Sequence, residues 1–232
     1  MKYAYGNGIV LDGSRDMEPK RDLIVLTENE KIVGVVDQGT DISGYEFVDL
    51  QGKYLMPGLI NLHVHLPGSG KPLKEGQDNG ERIKKLAKNP IVLIAIKKIC
   101  EKYAKMELMS GVTTIRTVGG AKDYDTQIRD KIASGRMVGP RILASNYAIS
   151  VPDGHMAGSL AYVANSPEEA REYVRKIAGD KPDLIKLMIT GGVLDAKAKG
   201  EPGELKMPPA YVKAACEEAH RLGLQVAAHR CV

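Results

Sequence analysis

Apolar and polar positions follow two different patterns along the chain, and the change comes at Pro57. Before it, short alternating runs separated by turn residues predict β-strands, and Asp22–Thr27 with Lys31–Val36 predict a hairpin. Tyr45–Leu50 is another alternating run. Because so little β-structure cannot bury itself alone, we expect residues 1–56 to be part of a larger β-layered domain.

After Pro57 the pattern becomes strand, loop, helix, repeated, which is typical of a parallel α/β architecture. The predicted strands are Leu59–His65, Val112–Val118, Arg141–Ser145, Leu184–Thr190 and Leu224–His229. The predicted helices are Ile91–Leu108, Tyr124–Ser134, Ser166–Ala178 and Pro208–Leu222. This spacing matches a (β/α)8 TIM barrel, which typically has about 250 residues. The sequence therefore predicts a partial barrel of about five strands over residues 57–232.

Composition and charge narrow the class of protein. The chain is 43% hydrophobic and 27% charged, as in ordinary soluble globular proteins. Its net charge of +4 is dispersed, and the most basic run, Arg82–Lys88, is typical of a solvated helix face, so we expect no nucleic-acid partner. We see no signal peptide and no apolar run of about 18 residues, so we expect neither secretion nor membrane insertion. Cys100, Cys216 and Cys231 fit neither a zinc ribbon nor a disulfide framework, which agrees with a reducing cytoplasm.

Two histidines lie on one face of the first predicted barrel strand. Side chains alternate along a strand, so Asn61, His63 and His65 share a face. Imidazoles about 7 Å apart on a rigid strand suit a metal ion, although such pairs also serve as polar groups in a core.

Lys186 interrupts the otherwise apolar fourth strand, and a buried lysine without a partner is costly. Two interpretations stay open. The lysine forms an ion pair inside the barrel, or burial lowers the pKa of the amine so that it adds CO2 and becomes a carbamate with two anionic oxygens.

Active sites of such barrels lie at the C-terminal ends of the strands. His65, Arg116, Lys186 and His229 lie at or near such ends, and His155 follows the third strand. Arg116 could bind a substrate carboxylate or the carbamate, or form a structural ion pair, and His155 could donate to substrate or hold its loop. Gly119–Gly120 and Gly191–Gly192 predict sharp turns rather than phosphate cradles.

The motif "PGLINLHVH" closely resembles the first barrel strand of the metal-dependent amidohydrolase superfamily, where both histidines bind a metal. The runs "TTIRTVGG", "GPRILASN", "GHMAG", "DLIKLMITGGV" and "QVAAH" extend the resemblance over nearly the whole chain. It is nearest to the imidazolonepropionase-like and Xaa-Pro dipeptidase-like branch. The resemblance implies that residues 1–56 are the N-terminal half of a small β-sandwich and that residues 57–232 begin the hydrolase barrel.

The resemblance also implies a mechanism. Two divalent cations, with zinc the expected metal, would be held by His63, His65, His229 and carboxylated Lys186. They would make a hydroxide available at neutral pH to attack an amide of an Xaa-Pro dipeptide or an N-acyl amino acid. His155 and Arg116 would be catalytic, steadying the oxyanion or a terminal carboxylate. Asp153 departs from the glycine that relatives often have before Gly154.

The superfamily takes a further His from the sixth strand and an Asp, its general acid and base, from the eighth. This sequence stops before both, so we expect a C-terminally truncated chain that is inactive as given. Five strands would leave two open edges. Two rival hypotheses remain: a non-catalytic metal-binding fragment or strand-swapping subunit, for which a homo-oligomer is one form, and a mononuclear deaminase or imidazolone hydrolase, which does not need Lys186.

Overall fold

The computed structural model describes residues 1–68, 89–192 and 203–230. The basic run Arg82–Lys88, most of the loop after the first barrel strand and Cys231 lie outside the described residues. The chain divides into two compact units, Met1–Gly58 and Leu59–Val232. The assignment of these units to a composite sandwich domain and a hydrolase barrel stays a prediction. Within the described ranges, no helix has the length and apolar content needed to cross a membrane.

The first unit consists of strands, as predicted. In chain order they are β1 (Lys2–Gly6), β2 (Ile9–Val10), β3 (Leu23–Glu28), β4 (Lys31–Asp37), β5 (Glu46–Asp49) and β6 (Tyr54–Leu55). Four of them form a sheet in the order β4-β3-β1-β5, and β2 pairs with β6. The β3–β4 hairpin is confirmed as an antiparallel pair, and its turn uses Asn29 with a φ of 56°. Ala4, Ile24 and Val25 are buried in this unit.

The second unit alternates strands and helices, which confirms the predicted α/β class. Its elements are β7 (Leu59–Val64), α1 (Pro90–Met109), β8 (Val112–Thr117), α2 (Tyr124–Ala133), β9 (Arg141–Leu143), β10 (Ala148–Ser150), β11 (Ala161–Val163), α3 (Pro167–Ala178), β12 (Leu184–Met188), α4 (Pro209–Arg221) and β13 (Gln225–His229). The strands are parallel and form two sheets, β7-β8-β9 and β11-β10-β12-β13. The five predicted barrel strands and four predicted helices are therefore present, and the described strands do not close into a full barrel.

The helices begin where their capping residues predict. The Ser166 hydroxyl accepts a hydrogen bond from the Glu169 amide at 3.1 Å, with Pro167 at the first helical position of α3. The Asn89 side chain caps α1 in the same way, accepting from the Ile91 amide at 2.9 Å.

The third predicted strand is broken in two, which corrects the expectation of one strand over Arg141–Ser145. β9 ends at Leu143 and pairs with β8, whereas β10 pairs with β12. Asn146 lies between them with a φ of 59°, so the chain turns there. Ala144 joins the two sheets, since its carbonyl accepts from the Asp183 amide at 2.8 Å. As a result β10 lies directly beside Lys186.

Two apolar cores lie between the sheets and the helices. Val64, Ile115 and Ile142 belong to one cluster with the α1 and α2 residues Cys100 and Ile128. Ile185 and Leu187 of β12 belong to the other, which includes residues of α3 and α4. Because side chains alternate along a strand, the residues between these apolar positions face the opposite side of the sheets. The candidate site lies on that side.

Candidate metal centre

His63 and His65 come together at the end of β7. Their Nε2 atoms are 3.3 Å apart, with the rings edge to face. Two nitrogens that bind one tetrahedral zinc ion at about 2.0–2.1 Å would be about 3.3 Å apart. The Nδ1 atom of His65 lies 3.0 Å from the Gly119 carbonyl oxygen, which only accepts hydrogen bonds. His65 therefore carries its proton on Nδ1. Its Nε2 atom, which faces the Nε2 atom of His63, keeps the lone pair that can bind a metal.

Lys186 is buried in the middle of β12, with an exposed fraction of 1%. Its neighbours in register are alanines on both sides, Ala148 of β10 and Ala227 of β13. Two small neighbours leave space for the long side chain on the inner face. Burial and then the charge of Arg116 lower the pKa of the Lys186 amine to about 8. In the described part of the chain no acidic side chain pairs with it, so the ion-pair interpretation finds no support.

His229 and His155 form a second histidine pair. His229 is in register with Met188, two residues beyond Lys186 on the same face of the sheet. The rings of His155 and His229 stack with centroids 4.9 Å apart and planes inclined by 26°. Burial, then the charges of His155 and Lys186, lower the pKa of His229 to about 4, so this imidazole is neutral at pH 7. Neutral imidazole is the form that binds metals.

Electrostatic coupling links the lysine to both pairs. Burial lowers the pKa of His63, followed by the charges of His65 and Lys186. Burial and the Lys186 charge also lower the pKa of His65, against the Gly119 hydrogen bond, which raises it. The site therefore contains nitrogen groups that are either cationic or neutral. Repulsion among the cations favours the neutral forms, and an anionic group would be stabilised among them.

Arg116 lies on the same face, on the neighbouring strand β8. Its Nε donates to the Leu62 carbonyl oxygen at 2.9 Å, which ties β8 to β7. No acid among the described residues pairs with its guanidinium, so the structural ion pair weighed from the sequence finds no support.

The described residues test whether a metal fits. Within the ranges that the structure covers, no three His, Cys, Asp or Glu side chains lie close enough to hold a metal ion alone. His63 and His65 supply two nitrogens at a suitable separation, and a carbamate on Lys186 would add the oxygen ligands. Imidazole nitrogen with anionic oxygen is a donor set that suits zinc. The residues therefore fit a metal provided that Lys186 is carboxylated or that ligands come from other residues.

A cavity of about 490 Å³ opens beside the first histidine pair. Its lining includes Asn61, His63 and His65 of the β7 region, with Tyr103 and Met106 of α1. Val64 also lines the cavity, whereas Arg116, Lys186 and His229 do not, so the cavity reaches the histidine pair from the side of α1. The Asn61 Oδ1 accepts a hydrogen bond from the His63 amide at 3.2 Å, and because the β7–β8 register shifts after Asn61, the alternation predicted from Asn61 to His65 is interrupted.

Gly119 and Gly192 each help to place a histidine of the site. Gly119 has a φ of 110°, as a sharp turn requires, and its carbonyl holds His65. Gly191 and Gly192 do not have positive φ, and the sharp turn predicted for this pair stays a prediction. A Cβ on Gly192 would instead overlap the His155 ring, so the missing side chain makes room for the histidine. Sequence reasoning noticed the glycine pairs but not these roles.

The chain resembles known proteins in sequence and in fold. The sequence profile of the amidohydrolase family matches residues 54–231. Ochratoxinase from Aspergillus niger is 26% identical over 96% of this chain and 48% of its own length. A crystal structure of an amidohydrolase has a TM-score of 0.80 at 26% identity, covering 99% of this chain and 56% of that one. A Xaa-Pro dipeptidase with bound methionine in its active site has a TM-score of 0.79 at 25% identity, covering 99% and 57%. The chain thus spans about half the length of these proteins.

Proposed function

The chain belongs to the amidohydrolase family, and on that premise we propose that the protein hydrolyses a carbon–nitrogen amide bond with the help of two divalent metal ions. Enzymes of this superfamily generally use divalent metals. The observation that carries the proposal is the 3.3 Å separation of the His63 and His65 Nε2 atoms in a site where a buried lysine is electrostatically coupled to both histidines. Similarity to a Xaa-Pro dipeptidase and to ochratoxinase supports it.

In this proposal His63, His65, His229 and a carbamate on Lys186 hold the metals, with zinc the expected ion. Bound there, the ions would supply Lewis acidity and a nucleophile at neutral pH. Lys186 becomes the carbamate when its neutral amine forms a C–N bond to CO2 and releases a proton to solvent. A pKa of about 8 makes the neutral amine far more abundant at pH 7 than it would be at the ordinary value of 10.5.

Arg116 and His155 would act on the substrate. The Nε of Arg116 is occupied by the Leu62 carbonyl, which leaves the other guanidinium nitrogens to bind a carboxylate. His155, stacked on His229, would steady the oxyanion of the attacked carbonyl. A terminal carboxylate next to an amide fits the proposed substrate class, an Xaa-Pro dipeptide or an N-acyl amino acid.

Metal and carbon dioxide binding test the proposal directly. The wild-type polypeptide, incubated with zinc and ¹³C-bicarbonate, should retain zinc through desalting and show a carbamate carbon in its ¹³C NMR spectrum. Lys186→Met should lose the carbamate signal and bind zinc more weakly by more than the ~10–100-fold typical of losing a supporting residue. Lys206→Met, at a partly exposed lysine paired with Glu204, is the matched control and should behave as wild type.

The same experiment separates the rival hypotheses. Zinc retained equally by Lys186→Met would favour a mononuclear site, and no zinc in the wild type would overturn the proposal. A polypeptide of these 232 residues alone is expected to bind metal without turnover, because the ligands assigned by resemblance to the sixth and eighth strands are not among them. Measured hydrolysis of an Xaa-Pro dipeptide by that polypeptide would contradict this expectation. Its mass in solution tests the strand-swapping alternative.

A further inference from the structure

The peptide group whose carbonyl holds His65 is bound at both ends. In the peptide between Gly119 and Gly120 the carbonyl oxygen and the N–H point in opposite directions, because the group is planar and trans. The carbonyl oxygen lies 3.0 Å from Nδ1 of His65, and the N–H of Gly120 donates to the carbonyl oxygen of Asn146 at 2.7 Å. Asn146 therefore holds the end of this peptide that is turned away from His65.

The peptide before it is held by the neighbouring residue. The Gly119 amide donates to the hydroxyl oxygen of Ser145 at 2.8 Å, and the Ser145 amide donates to the hydroxyl oxygen of Thr117 at 3.0 Å. Both hydroxyl side chains are fully buried. Gly119 has a φ of 110°, a conformation that glycine permits but does not fix. The two successive amides of Gly119 and Gly120 are thus fixed by two successive residues, Ser145 and Asn146.

Asn146 is itself held by the N-terminus of α2. It is buried, and its φ of 59° is left-handed, a conformation that Asn adopts more readily than most residues. Its Oδ1 accepts from the Thr126 amide at 3.1 Å, its Nδ2 donates to the Thr126 hydroxyl at 3.2 Å, and its own amide donates to the Asp125 carboxylate at 3.2 Å. Asp123, the N-cap residue of α2, makes no side-chain capping bond among the described residues, so Asn146 caps the helix from another segment. The helix α2 therefore fixes the direction of the Asn146 carbonyl.

The space at Gly120 agrees with this arrangement. A Cβ there would lie 2.5 Å from both carboxylate oxygens of Asp125. Gly120 does not have a positive φ, so glycine is needed there for the close approach of the peptide to α2 and not for a turn.

The strand that carries the histidines needs such support. The pairing of β7 with β8 shifts register between Asn61 and Val64, so the sheet ladder is interrupted where His63 lies. His65 follows the end of the strand. Its position therefore depends on the bond to Gly119 rather than on regular sheet pairing.

We propose that Ser145 and Asn146 are positioning residues for the metal centre: by binding the amides of Gly119 and Gly120 they direct the Gly119 carbonyl to Nδ1 of His65, and so keep the proton on Nδ1 and Nε2 free for a metal. This inference rests on the proposed function for its purpose, but its structural content, the tautomer of His65, is independent of metal. Both residues act through the Gly119 carbonyl and not on the metal itself.

Histidine tautomers measured by long-range ¹H–¹⁵N NMR test the inference in metal-free protein at pH 8, where His65 is neutral because burial lowers its pKa below 6.5. In the wild type His65 should be the Nδ1–H tautomer, and a coupling across the hydrogen bond should join the Gly120 nitrogen to the Asn146 carbonyl carbon. Asn146→Gly keeps the left-handed backbone accessible and removes both bonds to Thr126, and Ser145→Ala removes the acceptor of the Gly119 amide without adding volume. Both variants should show a mixture of His65 tautomers and a zinc Kd higher by about 10–100-fold.

Two controls separate positioning from mere stabilisation. Ser159→Ala removes another buried hydroxyl, which donates to the Met156 carbonyl at 2.9 Å. Asn29→Gly makes the second exchange at a residue with a φ of 56°, in the turn between β3 and β4. Both controls should retain the wild-type tautomer of His65 and the wild-type zinc affinity, whatever their melting temperatures. If Asn146→Gly does not fold, Ser145→Ala, which loses a single side-chain bond to Gly119, decides the question.

The possible results are distinct. A tautomer unchanged in the folded variants, with only lower stability, would overturn the inference even if the wild type binds zinc, and so would an equal shift in the controls. A tautomer that shifts in Asn146→Gly and Ser145→Ala but not in the controls supports the inference even if the wild type binds no zinc, in which case it is the proposed function that fails.

Discussion

Strand β12 carries Lys186, and strand β7 carries His63 and leads into His65. The two strands are held in place in different ways. β12 is buried at every residue and is paired with β10 on one side and β13 on the other. β7 pairs with β8 alone among the described strands, and its apolar residues Leu59, Ile60 and Leu62 are between 50% and 64% exposed. The lysine therefore lies in a packed wall, and the histidine pair lies at an edge.

The difference shows that burial sets the pKa of Lys186, whereas hydrogen bonds set the geometry at the histidine pair. Packing around Lys186 excludes water, and that desolvation is the main cause of its lowered pKa. At β7 the side chains keep contact with solvent, and polar bonds instead fix the geometry: His65 to Gly119, and Arg116 to the Leu62 carbonyl. Lys186 is fixed by packing, and the pair His63 and His65 can adjust its position. This combination suits a site in which metal binding orders the ligands.

Truncating one leucine in each strand tests this contrast and should have the largest effect. Leu187→Ala in β12 should lower the free energy of unfolding by about 2–5 kcal/mol, because the residue is fully buried in the core beneath α3 and α4. Leu62→Ala, at a half-exposed site in β7, should cost less than about 1 kcal/mol. Urea unfolding measures both. Equal losses would mean that β7 is covered in solution and that the contrast is wrong.

The buried carboxylate of Asp125 carries a pH dependence of its own. Burial is the main cause that raises the pKa of Asp125 from 3.8 to about 6, against the bonds from Thr117 and Asn146. The folded protein thus binds the Asp125 proton more tightly than the unfolded chain does. This contribution is fully present below about pH 4 and is lost as pH rises through 6, by about 3 kcal/mol in total. Asp125→Asn should remove this slope, measured as the difference from wild type in urea unfolding between pH 4 and 7. A parallel pH profile in the variant would refute the assignment.

Periodicity predicts those parts of the molecule that burial against helices dictates. Ile115, Ile142 and Ile185 face the helices, so their alternation reveals the strands and places His63, Arg116 and Lys186 on the other side. The HxH motif and the isolated lysine could be recognised for the same reason.

Contacts between distant segments could not be predicted in this way. The break at Asn146 depends on its hydrogen bonds to Thr126 of α2, and a strand of three residues such as β10 is too short to show alternation. The hydrogen bonds from Gly119 to Ser145 and from Ser145 to Thr117 use residues of ordinary polar type that only the fold brings together. The glycine pair that contains Gly192 can be noticed in the sequence. The need for glycine there comes from the His155 ring, which is remote in sequence.

Substitutions at the adjacent glycines Gly191 and Gly192 distinguish a need for space beside the His155 ring from a need for a glycine backbone conformation. Gly192→Ala should displace the His155 ring and lower the free energy of unfolding by about 1–3 kcal/mol, because the new methyl has no space. Gly191→Ala should be nearly neutral, since its nearest neighbour would be the Lys206 Cε at 3.8 Å. Thermal unfolding gives the stabilities, and the ¹H NMR shifts of His155 and His229 report their stacking. Equal effects at both positions would show that backbone conformation, not the histidine, requires the glycines.

Loss of the hydrogen bond from Arg116 to the Leu62 carbonyl should have the smallest effect on the free energy of unfolding. It is also the most direct test of how the β7 edge is held. Gln at position 116 is too short to reach the Leu62 carbonyl, so its loss should cost about 0.5–1.5 kcal/mol. Because β7 has pairing on one side only among the described residues, that cost should appear locally, as amide exchange in β7 faster by a factor of about 2–10 with β12 unchanged. Arg141→Gln, at an exposed site in β9, is the control. If β7 exchange stays at the wild-type rate in Arg116→Gln, then Arg116 does not secure the edge, and its guanidinium is left for the substrate alone.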